Sequence, residues 1–166
     1  MPWSRRPPGH RRISRATRAV LQLMPDDGDL DQLLQNLAAK RGRPISVLEH
    51  NPLANGLPSG LWIKATHGDI IMVDGGAGPS RRAVILSHEI AHMVLGHAGD
   101  CEAFDLVTQA APDLTPALIE RVLHRDNYAT DDEGDAEEVA TLIAVEHGRR
   151  RRNAELRANP ISARLR

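Results

Sequence analysis

The sequence predicts an α+β domain in which helices flank one small sheet. Three observations lead there. Leucines recur at helical spacing between residues 30 and 38, three short apolar runs bounded by Gly, Pro and Asn follow between 44 and 74, and helical periodicity returns from residue 79. The runs are expected to pair as a three-stranded sheet of antiparallel type, packed on the helix that follows it.

Each element has its own signal. Residues 1–18 hold six arginines and no acid, and Pro7-Pro8-Gly9 marks them as irregular. A flexible basic arm is expected there, mobile to about Ser14. Leu30, Leu33, Leu34, Leu37 and Ala38 then form an amphipathic stripe after the capping cluster Asp26-Asp27-Gly28-Asp29, and Gly42 stops it. Strands are expected at Pro44–Glu49, Gly60–Thr66 and Asp69–Asp74, the last two joined by a turn at His67-Gly68. Gly75, Gly76 and Gly78 lack the spacing of a dinucleotide fingerprint and read as a hinge before Pro79-Ser80 opens a helix. Thr115-Pro116 resembles the start of a further helix carrying Leu118, Ile119, Val122 and Leu123. The last helix is expected from about Asp131 into the block Arg149–Arg152, with residues 149–166 as a basic, solvated extension.

Composition excludes several classes. The chain has 166 residues, the size of one domain, and is 41% hydrophobic but only 2% aromatic. Four aromatics (Trp3, Trp62, Phe104 and Tyr128) do not make a stacking platform for single-stranded nucleic acid. The lone Cys101 cannot form an intramolecular disulfide and reads as a small core residue. No window approaches the roughly 18 unbroken apolar residues of a membrane span. Ser4-Arg5-Arg6 has no apolar stretch after it to make an export signal, so a cytoplasmic location is expected. The net charge of −1 conceals +6 at each end and −13 between them. Such ends can fold back on the acidic body, stay solvated, or make weak, sequence-indifferent contact with nucleic acid.

The chemistry is concentrated in Ser87-His88-Glu89-Ile90-Ala91-His92. Four residues is just over one helical turn, so His88 and His92 share a face and can offer two imidazole nitrogens to one Zn²⁺. Glu89 lies beside that face, where it can take a proton from an attacking water rather than ligate. In a chain of this composition chance supplies about 0.02 such matches. A third ligand is needed. The pattern with Gly three and His six residues after the second histidine fails, because Leu95 and Ala98 stand there. His97 is one residue out of register and reads as a helix-end cation. A later helix offers a carboxylate instead: Glu133 as ligand, Asp135 in reserve, and Glu137 one turn on as a hydrogen-bond acceptor for a ligand imidazole. Ala136 and Ala140 are small enough to let that helix approach closely. An oxyanion formed during hydrolysis needs a further donor, for which Tyr128 is the first candidate, followed by His124 and His67.

From about Arg43 to Glu146 these residues resemble the ImmA/IrrE family of zinc metallopeptidase-like proteins. The likeness rests on Pro58-Ser59-Gly60-Leu61-Trp62, the hairpin, the stretch from Ser87 to His97, and Glu133-Gly134-Asp135-Ala136-Glu137-Glu138-Val139-Ala140. It implies a zincin of gluzincin-like fold over residues 19–148, with the histidine helix and a glutamate helix beside a small sheet. It also implies a partner, a helix-turn-helix transcription regulator. Two positions depart from the family pattern: Asp135 replaces the usual Glu, and Glu137 the Asn of proven peptidases. Two functions follow as expectations. One is a regulatory zinc endopeptidase that cleaves or controls a repressor or antitoxin. The other is a non-catalytic, zinc-stabilised binding module that acts by contact.

Overall fold

The computed structural model describes residues 8–97, 119–123 and 130–159. In order they form α1 (Pro8–Leu21), α2 (Leu30–Arg41), β1 (Ile45–His50), α3 (Pro52–Asn55), β2 (Gly60–Ala65), β3 (Gly68–Asp74), α4 (Pro79–Leu95), β4 (Ile119–Leu123) and α5 (Thr130–Ala158). The α+β class is therefore as expected, and the three expected strands fall where the apolar runs placed them.

The sheet itself differs from the expectation. It is mixed and four-stranded, in the order β1-β3-β2-β4. β2 pairs antiparallel with β3 and with β4, whereas β1 lies parallel to β3, Ile45 opposite Asp69 and His50 opposite Asp74. A parallel neighbour cannot be read from a hairpin signal, because it requires the chain to cross over between the strands. The fourth strand occupies residues 119–123, where a helix was expected; a short apolar run fits either period, and pairing with β2 decides it. Thr115-Pro116 lie outside the described residues. The hairpin turn is Thr66-His67. Leu61, Trp62, Ile63, Ile71, Met72 and Val73 are all buried, so both faces of the central strands are covered.

The basic N-terminal arm is also corrected. From Pro8 it is helical and packed, and the expected boundary at residue 18 falls inside α1. Proline is tolerated in a first helical turn, and Ile13, Ala16, Thr17 and Val20 recur at helical spacing and are buried, while Arg11, Arg15 and Arg18 are exposed and Arg12 donates to the Leu95 carbonyl at the end of α4. α1 lies against α4 and α5. At the other end, α5 carries the arginine block onward as expected, but Arg150 is not merely solvated. It donates to the carbonyls of Met24, at 2.5 Å, and Pro25, at 3.2 Å, and to Glu146 Oε1 at 2.6 Å, tying α5 to the α1–α2 connection.

α4 is the centre of the molecule, touching β2, β3, α1 and α5. Pro79 stands in its first turn, and Ala83, Leu86, Ile90, Ala91 and Met93 enter the core. α5 joins that core through Ala136, Val139, Ala140 and Ile143, whose small members permit close approach. Among the described residues no helix is long and apolar enough to cross a membrane.

Candidate metal centre

Helix geometry and the α4–α5 contact assemble one polar cluster in this apolar setting. His88 and His92 project from successive turns of α4 with their Nε2 atoms 2.9 Å apart and their rings edge-on. The first turn of α5 brings Glu133 across, its Oε1 3.3 Å from His92 Nε2 and its Oε2 3.7 Å from His88 Nε2. Among the described residues, His88, His92 and Glu133 form the one group of three side chains whose ligand atoms lie within 4.8 Å of one another. Neighbouring ligand atoms around tetrahedral zinc, with bonds near 2.0–2.1 Å, stand about 3.3 Å apart, so only small movements separate this arrangement from a ligand set. Asp135, the reserve ligand, is outside the group.

The donor chemistry fits a cation. His88 Nδ1 faces Glu137 Oε2 at 3.5 Å. An ionised carboxylate only accepts, so a neutral His88 that donates its Nδ1–H to Glu137 presents the Nε2 lone pair to a cation. Glu137 thus stands where the spacing predicted an outer partner for a ligand imidazole. The His92 side chain is 1% exposed against 14% for His88 and 25% for Glu133, so solvent reaches the cluster from one side.

Glu89 is also buried, on the side of α4 that meets β2. A Cβ on Gly60 would lie 2.5 Å from Glu89 Oε1 and 2.6 Å from Ile85 Cγ2, so the start of β2 approaches the carboxylate as only glycine can. Gly60 carried no signal of this role in the sequence beyond its place at the head of a strand.

His97 lies outside this group of three and packs back against His92 rather than standing as a plain helix-end cation. Gly96 ends α4 at φ +66°, and His97 N–H returns to the His92 carbonyl at 3.2 Å. The reversal lays the His97 ring against His92, Nδ1 to Nδ1 at 2.9 Å, with its Nε2 3.5 Å from Asp132 Oδ1. Burial pushes the His97 imidazole below its ordinary value, with the negative charge of Asp132 opposing and the nearby Arg12 assisting. His67 is exposed in the turn between β2 and β3, beyond the end of β2 opposite to Gly60. Tyr128, His124 and Cys101 lie outside the described residues.

The chain matches no known protein family, no curated protein and no solved structure.

Proposed function

We propose that this protein is a zinc-dependent, metallo-endopeptidase-like regulatory protein of the ImmA/IrrE type, acting in the cytoplasm on a partner protein of the helix-turn-helix repressor or antitoxin class. The observation that carries the reading is the convergence of His88 Nε2, His92 Nε2 and the Glu133 carboxylate at the α4–α5 contact. Those three residues would hold one Zn²⁺. Bound there, the metal supplies Lewis acidity that polarises a peptide carbonyl and makes water a nucleophile at neutral pH.

The chain's own groups do the rest. Glu137, 3.5 Å from His88 Nδ1, would accept that N–H and orient the ring with Nε2 toward the metal. Glu89, one residue from the first ligand, accepts the proton of the attacking water and returns it to the leaving amine. Gly60 leaves room for that carboxylate. Tyr128 enters as the donor to the oxyanion on sequence grounds.

One observation favours the alternative, a zinc-stabilised binding module that acts by contact: Glu89 is only 5% exposed, under the backbone of β2. Metal analysis with coexpression separates the two. Wild type should carry near-stoichiometric zinc, and His92→Ala should not; zinc that persists in His92→Ala overturns the site. Metal kept in Glu133→Ala and lost in Asp135→Ala moves the third ligand. Glu89→Gln should retain fold and zinc while abolishing cleavage of the partner regulator, whereas full biological function in that variant selects the binding module.

A further inference from the structure

We propose that the groove between α1 and α5 is a docking site for an acidic amphipathic helix of a partner protein. It is distinct from the metal centre, since Leu142 in its wall stands nine residues beyond Glu133, about 14 Å along α5 at 1.5 Å per residue. The inference does not depend on the zinc reading.

The groove is a cavity of about 680 Å³, lined on its apolar side by Ile13, Leu21, Met24 and Leu142 and on its polar side chiefly by Arg18 and Arg150. Its far end is closed by Arg150, whose guanidinium reaches the carbonyls of Leu21 and Met24. Along α5 the apolar wall continues into solvent. Leu142, Val145, Arg149, Arg152 and Leu156 recur at three- and four-residue steps and so share one face, and the three apolar members are 41%, 62% and 61% exposed. A row of large apolar side chains among arginines, beside an open groove, marks an interaction surface.

Charge selects the occupant. α1 contains no acidic residue, and its Arg11, Arg15 and Arg18 are exposed and make no ion pair with another described residue. Arg11 and Arg18 share the face of Ser14 and Leu21 that borders the groove. With Arg149, Arg150 and Arg152, six arginines face three acids, Asp26, Glu138 and Glu146, and Glu146 is already held by Arg149 and Arg150. Three positive charges are left over. A second copy of this face would set Arg149 and Arg152 against like charges. A nucleic-acid backbone would engage the arginines but leave Leu142 and Val145 uncovered and meet Glu138.

Shape selects a helix. Both walls are helices, whose backbone groups are engaged within the helix, so the groove has no strand edge to offer and only side chains to pack against. The 14 residues of α1 give it a length of about 21 Å, which four turns of an incoming helix would fill. Apolar residues at i, i+3, i+4 and i+7 of that helix would cover Leu21, Leu142 and Val145, and its flanking carboxylates would meet Arg11, Arg18 and Arg149.

The test is fluorescence anisotropy of labelled 14-residue helical peptides titrated with the full chain. The set shares one leucine stripe and carries Glu, mixed Glu and Lys, or Lys at the remaining positions. A further peptide keeps the leucines and glutamates but scatters the leucines around the helix, and a 20-base-pair DNA duplex completes the set. The striped Glu peptide should bind about tenfold or more tighter than the Lys and scattered peptides. Leu142→Glu should weaken it about tenfold. Arg18→Glu, on a fully exposed side of α1, should weaken it several-fold and reduce its sensitivity to salt, and serves as the test if Leu142→Glu does not fold. The proposal is overturned if no peptide binds, if the scattered peptide binds equally well, or if folded Leu142→Glu or Arg18→Glu binds like wild type. DNA that binds more tightly than every peptide, and equally well to Leu142→Glu, would also overturn it and make the face a phosphate-binding surface.

Discussion

A buried carboxylate and a half-buried one meet ring or guanidinium nitrogens at nearly the same distance and differ in chemistry. Asp69, on β3, is fully buried and lies 2.9 Å from Arg41 Nη2, 3.3 Å from Arg43 Nε and 3.3 Å from Trp62 Nε1. Each of those nitrogens carries a hydrogen, so the acid is balanced by the protein's own donors and the cluster joins the end of α2 and the start of β1 to the sheet. Glu133 lies 3.3 Å from His92 Nε2. There the partners are imidazoles, each with one N–H and one lone pair when neutral. The first arrangement is closed by the protein's own cations; the second is the set proposed above to hold a metal ion. Burial and distance alone do not distinguish a scaffold from a site. The kind of nitrogen that faces the acid does, since guanidinium and indole only donate whereas a neutral imidazole also offers a lone pair.

Breaking each cluster should therefore read out differently. The largest effect is expected from His92→Ala: zinc uptake is lost, and with it the stabilisation that added zinc gives wild type, about 4 kcal/mol at a thousandfold excess over Kd, measured as a shift in Tm. Asp69→Ala should leave zinc affinity unchanged but cost about 3–5 kcal/mol in denaturant unfolding, because two arginines lose their shared counter-charge. An Asp69→Ala protein that unfolds like wild type would show that the cluster is not structural.

A smaller effect sharpens the division between ligand and base. Gly60→Ala should cost about 1–3 kcal/mol from crowding Ile85 and Glu89, and should lower proteolytic turnover more than zinc content. Equal losses of both would mean that β2 supports the ligands rather than Glu89.

The smallest effect is one of pH. Glu146 is held down to about 2 by hydrogen bonds from Arg149 and Arg150. Its folded pKa is below the ordinary 4.5, so its contribution is complete above about 4.5 and disappears as pH falls toward 2. Glu146→Gln should flatten stability across that window. Zinc should leave earlier on acidification, because the ligands must be neutral imidazoles. Acid titration followed by metal release and by helicity should therefore give two separate transitions.

The core of the site was legible because its information is local. His88, Glu89 and His92 lie within little more than one turn, and a helix places them on neighbouring faces in any surroundings. Glu133 and Glu137 were legible from the one-turn spacing of the acids and from Ala136 and Ala140, which mark a helix built for close packing. α2, β2, β3 and α4 followed likewise from periodicity, caps and turns. The misreadings have non-local causes. The arginines of α1 hid an apolar stripe, Ile13, Ala16 and Val20, that is meaningful only against α4 and α5.

By itself, then, the sequence determined the elements whose signals repeat within a turn or a strand, and with them the pair of histidines and the acid offered to it. Tertiary structure alone decided that β1 lies parallel to β3, that residues 119–123 extend the sheet, and that Gly60 covers Glu89. It also decided that His97 folds back against His92, with Asp132 on the far side of the His97 ring. The reason is the range of the forces. Backbone propensity and side-chain periodicity act between residues a few positions apart, whereas strand partners and hydrogen-bond acceptors are selected from residues that meet only after the chain has packed.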